Sequence, residues 1–462
     1  MNSFLARLPS KLVVRVQKNE DWLVRLFILS FVVILVLLPL HAFLSTWLGT
    51  TIGPLLVWKS WKEILLLGLL PFLVFYFWLR PNILQILWKR RINQIIVAYV
   101  LLHLVLSVFS HVSRGAIVAG LLINLRFLAM FLLAQLLIET KHPWVISLKA
   151  FLPKWLLWTT LVLSILAIAQ VTVIPRDFLS HFGYNKDKTI APYELVDQNP
   201  QALRAFATMR GPNTLGAFLI LPLLMAVYLI VKRREVYLSG AVLATGSVAL
   251  LATGSRSAWL GFALGLLILL VGLLPRSKLR WLWWAMPVLG VGGLLLLWLA
   301  TVNPNIRLAV FHSRVGRTSL ITGSSEQHVS SVVENAKDAL AHPLGQGPGA
   351  AGPASYYDPG GTQIGEDYFV QIAQEVGLLG LAIFLAINIL LARQLLRDNE
   401  DILPRVLIAS LAGLTLLNIF LHGWADDPTA MTWWGIAGLY YKGLTSNSTS
   451  RPKRPRSDAR AL

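Results

Sequence analysis

The chain has 462 residues, of which 56% are hydrophobic and only 14% charged, with a mean hydropathy of +0.64. A soluble enzyme carries roughly 25% charged residues, so this composition excludes one. Cysteine is absent, which removes disulfides, thiolate nucleophiles and cysteine metal sites, and the formal charge of +19 raises the question of where the cations lie.

Runs of about 20 apolar residues, each long enough to cross a hydrocarbon core roughly 30 Å thick, recur along nearly the whole sequence. The expected fold is all-α, a polytopic transmembrane helical bundle of about 12 spans. The basic N-terminus, residues 1–22, holds Arg7, Lys11, Arg15 and Lys18, and the apolar run that follows from Leu23 to Leu48 is too long for a signal-peptide core. Spans are expected at 23–48, 61–79, 94–112, 115–138, 154–174, 213–231, 236–253, 256–274, 281–301, 368–392, 405–422 and 428–441. The membrane domain then covers 23–441, and the Ser-, Pro- and Arg-rich tail 442–462 is expected to be disordered.

An even number of spans places both termini on one side, and the charge pattern tests this, since cytoplasmic loops collect Lys and Arg. With the N-terminus inside, the inner segments hold Arg80, Lys89, Arg90 and Arg91, then Lys141, Lys149 and Lys154, then Lys232, Arg233 and Arg234. Further on they hold Arg276, Lys278, Arg280, Arg393, Arg397 and Arg405. The net charge is therefore topological, with membrane lipids as partners and no place for nucleic acid. The expected location is the cytoplasmic membrane, with both termini cytoplasmic.

Two long segments, about 175–212 and 302–367, are left on the outer side, and loops of that length are usually functional. The second carries a helix signal. Ser324 and Gln327 form a capping-box pattern, Val329, Val332, Val333, Ala336 and Leu340 share one face, and His342-Pro343 stops the run. This predicts a short helix on the outer membrane surface, serving either as a lid or to position substrate.

Arginines on the outer side run against the charge bias. Arg210 stands where the first loop enters a helix, Arg256 stands in the tight turn Thr253-Gly254-Ser255-Arg256-Ser257, and Arg314 and Arg317 lie in the second loop. Guanidinium groups at helix ends suit a pyrophosphate or carboxylate. The alternative for each, as for Arg176 and Arg204, is interfacial snorkelling. Arg126 falls near the middle of a span, where a charge costs at least ~2.5–3.5 kcal/mol, so it must face a cavity or a partner. The acidic pair Glu366 and Asp367 begins a helix and suits either catalysis or the helix dipole. His312 and His342 are further loop bases, or structural.

Four motifs in order carry a resemblance: Arg210-Gly211-Pro212-Asn213, then Gly254-Ser255-Arg256-Ser257-Ala258-Trp259, then His342-Pro343-Leu344-Gly345-Gln346-Gly347-Pro348-Gly349, and finally Gly377-x-x-Gly380. On a chain of many spans this combination resembles the O-antigen ligase and polymerase superfamily, over about residues 20–440. The resemblance implies glycan transfer from a polyprenyl (undecaprenyl) pyrophosphate carrier at the outer face of the cytoplasmic membrane, without a metal ion or cofactor. The acceptor is a hydroxyl on a glycan, lipid or protein. Family ligases carry a loop histidine ahead of the Gly-x-x-Gly helix; at that position stands Glu366, followed by Asp367.

The implied catalytic residues are thus Glu366 and Asp367, and the implied pyrophosphate ligands are Arg210, Arg256, Arg314 and Arg126. Ligation and polymerisation both remain open. From another class, a transporter or flippase for an anionic lipid or solute is the alternative, with Arg126 at its binding site.

Overall fold

The computed structural model describes residues 10–196, 199, 202–273, 324–359, 367–397 and 402–441, and the side chains within them except those of 10–19 and 324–331. Arg314, Arg317, His312 and Glu366, the span expected at 281–301 and the tail 442–462 lie outside them.

The described chain is almost wholly helical. Helix α1 (Ser10–Leu37) continues through a 3-10 turn at Leu38–Leu40 into α2 (His41–Thr51). Short α3 (Leu55–Lys59) leads to α4 (Trp61–Gly68), α5 (Leu70–Leu79) and α6 (Pro81–Trp88). Long helices follow: α7 (Arg91–Phe109), α8 (Arg114–Thr140) and α9 (Pro143–Thr172). A two-stranded antiparallel hairpin pairs β1 (Glu194–Leu195) with β2 (Leu203–Arg204) ahead of α10 (Pro212–Val231), α11 (Val236–Ala252) and α12 (Arg256–Leu273). The remaining helices are α13 (Ser324–Ala341), α14 (Tyr368–Arg397), α15 (Ile402–Asn418) and α16 (Asp427–Tyr440).

Among the described residues eight helical stretches are long and apolar enough to cross a membrane, from Glu20–Thr51 to Tyr368–Arg397. Val236–Ala252 and Ile402–Asn418 are apolar but shorter. The helix read as starting at 154 begins at Pro143 instead. Proline is tolerated at a first helical position, where its missing N–H costs nothing, and the helix runs on through Pro153.

Local signals set the helix starts. The Ser113 hydroxyl accepts from the Ala116 amide to cap α8, the His142 ring accepts from the Trp144 amide at the start of α9, and Pro212 opens α10. Helix α13 is described from Ser324 and ends before His342-Pro343, where the stop was expected, and it packs on α14 rather than standing alone.

The core combines close backbone approach with aromatic mass. A Cβ placed on Gly413 of α15 would lie 2.2 Å from the carbonyl oxygen of Gly261 in α12, so only glycine lets these two helices approach so closely. Trp424, Trp433 and Trp434 are fully buried, with Trp434 packed on Phe127 and Phe131 of α8 and on Phe384 of α14. Several cations read as lipid anchors are pinned to protein carboxylates instead. Arg80 Nε donates to Glu20 at 2.7 Å, and Arg90 engages Gln135 and Glu139.

Candidate functional site

A cluster of charge sits where the first turns of α4, α10 and α16 meet the flank of α8. Arg126 of α8 donates from Nη1 to Glu63 Oε1 at 3.0 Å, pairs with Asp427, and donates to the Ala425 carbonyl. The Lys62 ammonium lies 2.9 Å from Asp427 and 3.1 Å from Glu63, and donates to the Lys59 carbonyl at 2.9 Å. His41, where α2 begins, lies 3.2 Å from Asp427 and accepts at Nδ1 from the Trp61 indole at 3.0 Å. Lys62, Glu63 and Asp427 are all buried. A buried charge persists only if it is paired and hydrogen-bonded, and this mutual pairing is what allows Arg126 to sit within a span.

The cluster opens toward Arg210. Asp426, the residue before α16, is partly buried and accepts from the Thr214 hydroxyl at 2.9 Å. Burial pushes the Asp426 carboxyl up to about 6, against the opposing pull of Arg210 and the Thr214 hydrogen bond. Arg210 is exposed and lies within electrostatic reach of both Asp426 and Lys59. Burial and then the Arg210 charge lower the Lys59 ammonium from its usual range. Arg210 and Lys59 thus feel one another's charge beside helix N-termini that add partial positive charge, and two such cations favour an added anion.

Arg256 begins α12, just after the turn at Gly254, whose φ is +62°. That turn is held against the entrance of α10. Arg204 Nε donates to the Thr253 carbonyl at 2.8 Å, Arg204 Nη2 donates to Asn213 at 2.9 Å, and Gly216 of α10 leaves room for Ala258 and Ser255. The structure therefore brings the starts of α10 and α12, and with them Arg210 and Arg256, to the same end of the bundle.

The loop motif and the glycine helix pack on each other. Helix α14 is broken at Gly377, whose φ of +74° favours glycine, and the loop His342–Gly349 fills the break. The Leu378 amide donates to the Pro343 carbonyl, the Gln346 amide to the Gln374 carbonyl and the Gly347 amide to the Glu375 carbonyl, all within 2.8–2.9 Å. The Glu375 side chain is fully buried and accepts from the Gly349 amide at 2.8 Å and from Asn124 at 2.6 Å. Asp338 of α13 accepts from both Gln346 and Gln374 at 2.8 Å, which ties that helix to the same break.

Asp367 serves as the cap of α14: its Oδ1 accepts from the Phe369 amide at 2.8 Å and the Val370 amide at 3.2 Å. Burial raises its carboxyl, and these hydrogen bonds oppose the rise. His342 is bound to Asp338 at 3.1 Å. No protein-family model matches the chain, and no curated protein matches it.

Sequence reasoning singled out Arg126 and Arg210 but not the residues that surround them. Lys59, Lys62 and Glu63 stand at the head of one apolar run, and Asp426 and Asp427 stand at the head of another. The available signal was that these charges adjoin otherwise apolar spans, where each one needs a partner. Glu375 and Asn124 carried the same signal inside their own spans.

Proposed function

We propose that the chain is a metal-independent glycosyltransferase of about 12 spans in the cytoplasmic membrane, both termini cytoplasmic. It moves a glycan from a polyprenyl-pyrophosphate carrier to an acceptor hydroxyl at the outer face, in the manner of O-antigen ligases, or of polymerases where the acceptor is another repeat unit. The observation that carries this reading is the convergence of Arg210, Lys59, Lys62 and Arg126 with the first turns of α4, α10 and α16. A leaving pyrophosphate develops negative charge, and fixed cations and helix N-termini stabilise it without reorganising.

In this mechanism Arg210 and Arg256 clamp the pyrophosphate, with Arg314 from the second long loop. Arg126 and Lys62 set the local field while holding Asp427 and Glu63 in place. The acceptor hydroxyl attacks the anomeric carbon, its proton passes to a carboxylate, and the carrier pyrophosphate leaves. The resemblance points to Glu366 as that base, and the geometry adds Asp426, a partly buried carboxyl raised toward neutrality beside Arg210.

The test uses protein in nanodiscs with a polyprenyl-pyrophosphate-linked oligosaccharide and its host's acceptor, following product by mass. Transfer that is lost in Arg210→Ala and retained with chelator is the expected result. Absence of any transfer by the native chain across ligase and polymerase acceptors overturns the reading.

One observation favours a second reading, transport of an anionic lipid or solute. Helix α14 is interrupted at Gly377 with Glu375 buried beside the break, and transporters build sites at discontinuous helices. Movement of labelled carrier lipid across vesicles without glycan transfer would select it.

A further inference from the structure

Helix α10 runs about 30 Å from Arg210 to Lys232, and the far end opens onto a second, unrelated feature. A cavity of about 720 Å³ lies there among α9, α10, α15 and α16. Tyr228 and Tyr440, both buried, form its floor, and Lys149, Lys232, Arg234 and Arg405 line its walls. The Lys149 ammonium stands 4.6 Å over the Tyr440 ring and that of Lys232 stands 6.0 Å over Tyr228. These contacts hold the amines against the floor. The nearby Glu235 is directed to Lys154 at 3.1 Å. Ile402 and Leu403 supply an apolar wall.

We propose that this cavity binds a phosphate-bearing anion, as the headgroup of an anionic phospholipid or as free phosphate. Four cations, from α9, α15 and the turn that follows α10, surround one space, which concentrates positive potential far more than a row of cations along a single loop does. An ammonium and a guanidinium both suit phosphate oxygens, and the tyrosine hydroxyls add donors. The apolar wall and the position at the helix ends match a lipid whose headgroup enters while its chains stay in the bilayer. The ligand would join α10 to α15 and α16, at the opposite end of two helices whose other ends build the charged cluster.

The test is native mass spectrometry of the full chain after delipidation. Nanodiscs contain either phosphatidylcholine alone or phosphatidylcholine with phosphatidylglycerol, and a separate detergent sample is titrated with inorganic phosphate. One retained phosphatidylglycerol is expected, and Lys232→Gln/Arg234→Gln should lower its occupancy roughly tenfold. Both residues are exposed, so the double variant should fold, and its melting temperature without lipid should match the native one. Arg393→Gln/Arg397→Gln, two exposed cations on α14, is the charge-matched control and should retain the lipid. Displacement of the lipid by millimolar phosphate alone, or phosphate binding in detergent without lipid, identifies free phosphate as the source.

Equal loss in both double variants would show diffuse surface attraction and overturn the proposal, as would equal retention of phosphatidylcholine. Asp398, Glu400 and Asp401 precede α15 and lie outside the described residues. Binding that appears only when all three are neutralised would mean the chain's own carboxylates fill the cavity, which also overturns it.

Discussion

Arg126 and Asp427, distant in sequence, form a buried ion pair at the point where the flank of α8 meets the first turn of α16. The pair solves two problems. A charge such as Arg126 within a span needs a partner, and Asp427 begins a helix of 14 residues whose positive N-terminal end favours a carboxylate. Glu63, Lys62 and His41 complete the compensation.

Breaking this pair from one side leaves the other charge buried. Arg126→Met and Asp427→Leu should each lower stability by about 3–5 kcal/mol, whereas the double variant should recover much of the loss. Thermal unfolding in detergent, run as a double-mutant cycle, checks this. Additive losses would mean that the two residues do not act as a unit.

Asp426 should show itself in pH dependence. Burial holds its folded-state value near 6 against an ordinary value of 3.8, so the folded protein binds this proton more tightly than the unfolded chain. That contribution to stability is full below 3.8 and lost as pH rises through about 6. Asp426→Asn should therefore gain stability relative to the native protein between those values, read from melting temperatures across the pH range.

If Asp426 is the base, transfer should rise as pH passes through about 6, and Asp426→Asn should lower turnover by roughly 10²–10⁴-fold. Glu366→Gln should then have a small effect. The reverse ranking assigns proton removal to Glu366, the position implied by the resemblance.

Arg210→Lys and Arg256→Lys should both weaken transfer, because an ammonium does not reproduce the bidentate contacts of a guanidinium with pyrophosphate. Arg210 is exposed, so its variant should fold normally, and the defect should appear in kcat as well as in kcat/KM for the lipid-linked donor.

Gly377→Ala should destabilise the break in α14 by more than about 1 kcal/mol, since φ is +74° and the added Cβ would lie 2.5 Å from the Pro343 oxygen. Hydrogen exchange should rise in the loop His342–Gly349, whose amides lose their acceptors. Unchanged protection there would separate the loop from the break.

Orientation follows from reporter fusions. Positions at Lys188 and Ser325 should report the outer side, and Arg234 and Arg397 the cytoplasm. A cytoplasmic signal from Lys188 would place Arg210 and its cluster in the wrong compartment for a lipid-linked glycan on the outer face.

Composition and periodicity by themselves determined the helical class and most helix positions. An apolar run of 20 residues in lipid has no lower-energy state than a helix that satisfies its own backbone, and this depends on nothing distant in the chain. The helix at Ser324–Ala341 was legible for a similar reason, since its periodic apolar face and its His342-Pro343 stop are local chemistry. The need for a partner at Arg126 was legible too, but the partner was not. Glu63 and Asp427 come from helices far away in sequence, and the pairing depends on how α4, α8 and α16 pack. Tertiary structure alone also decided that the glycine loop His342–Gly349 fills the break at Gly377 and that four separated cations surround one cavity. Each of these is a meeting of segments whose local signals are complete without it, so no pattern within either segment records the other.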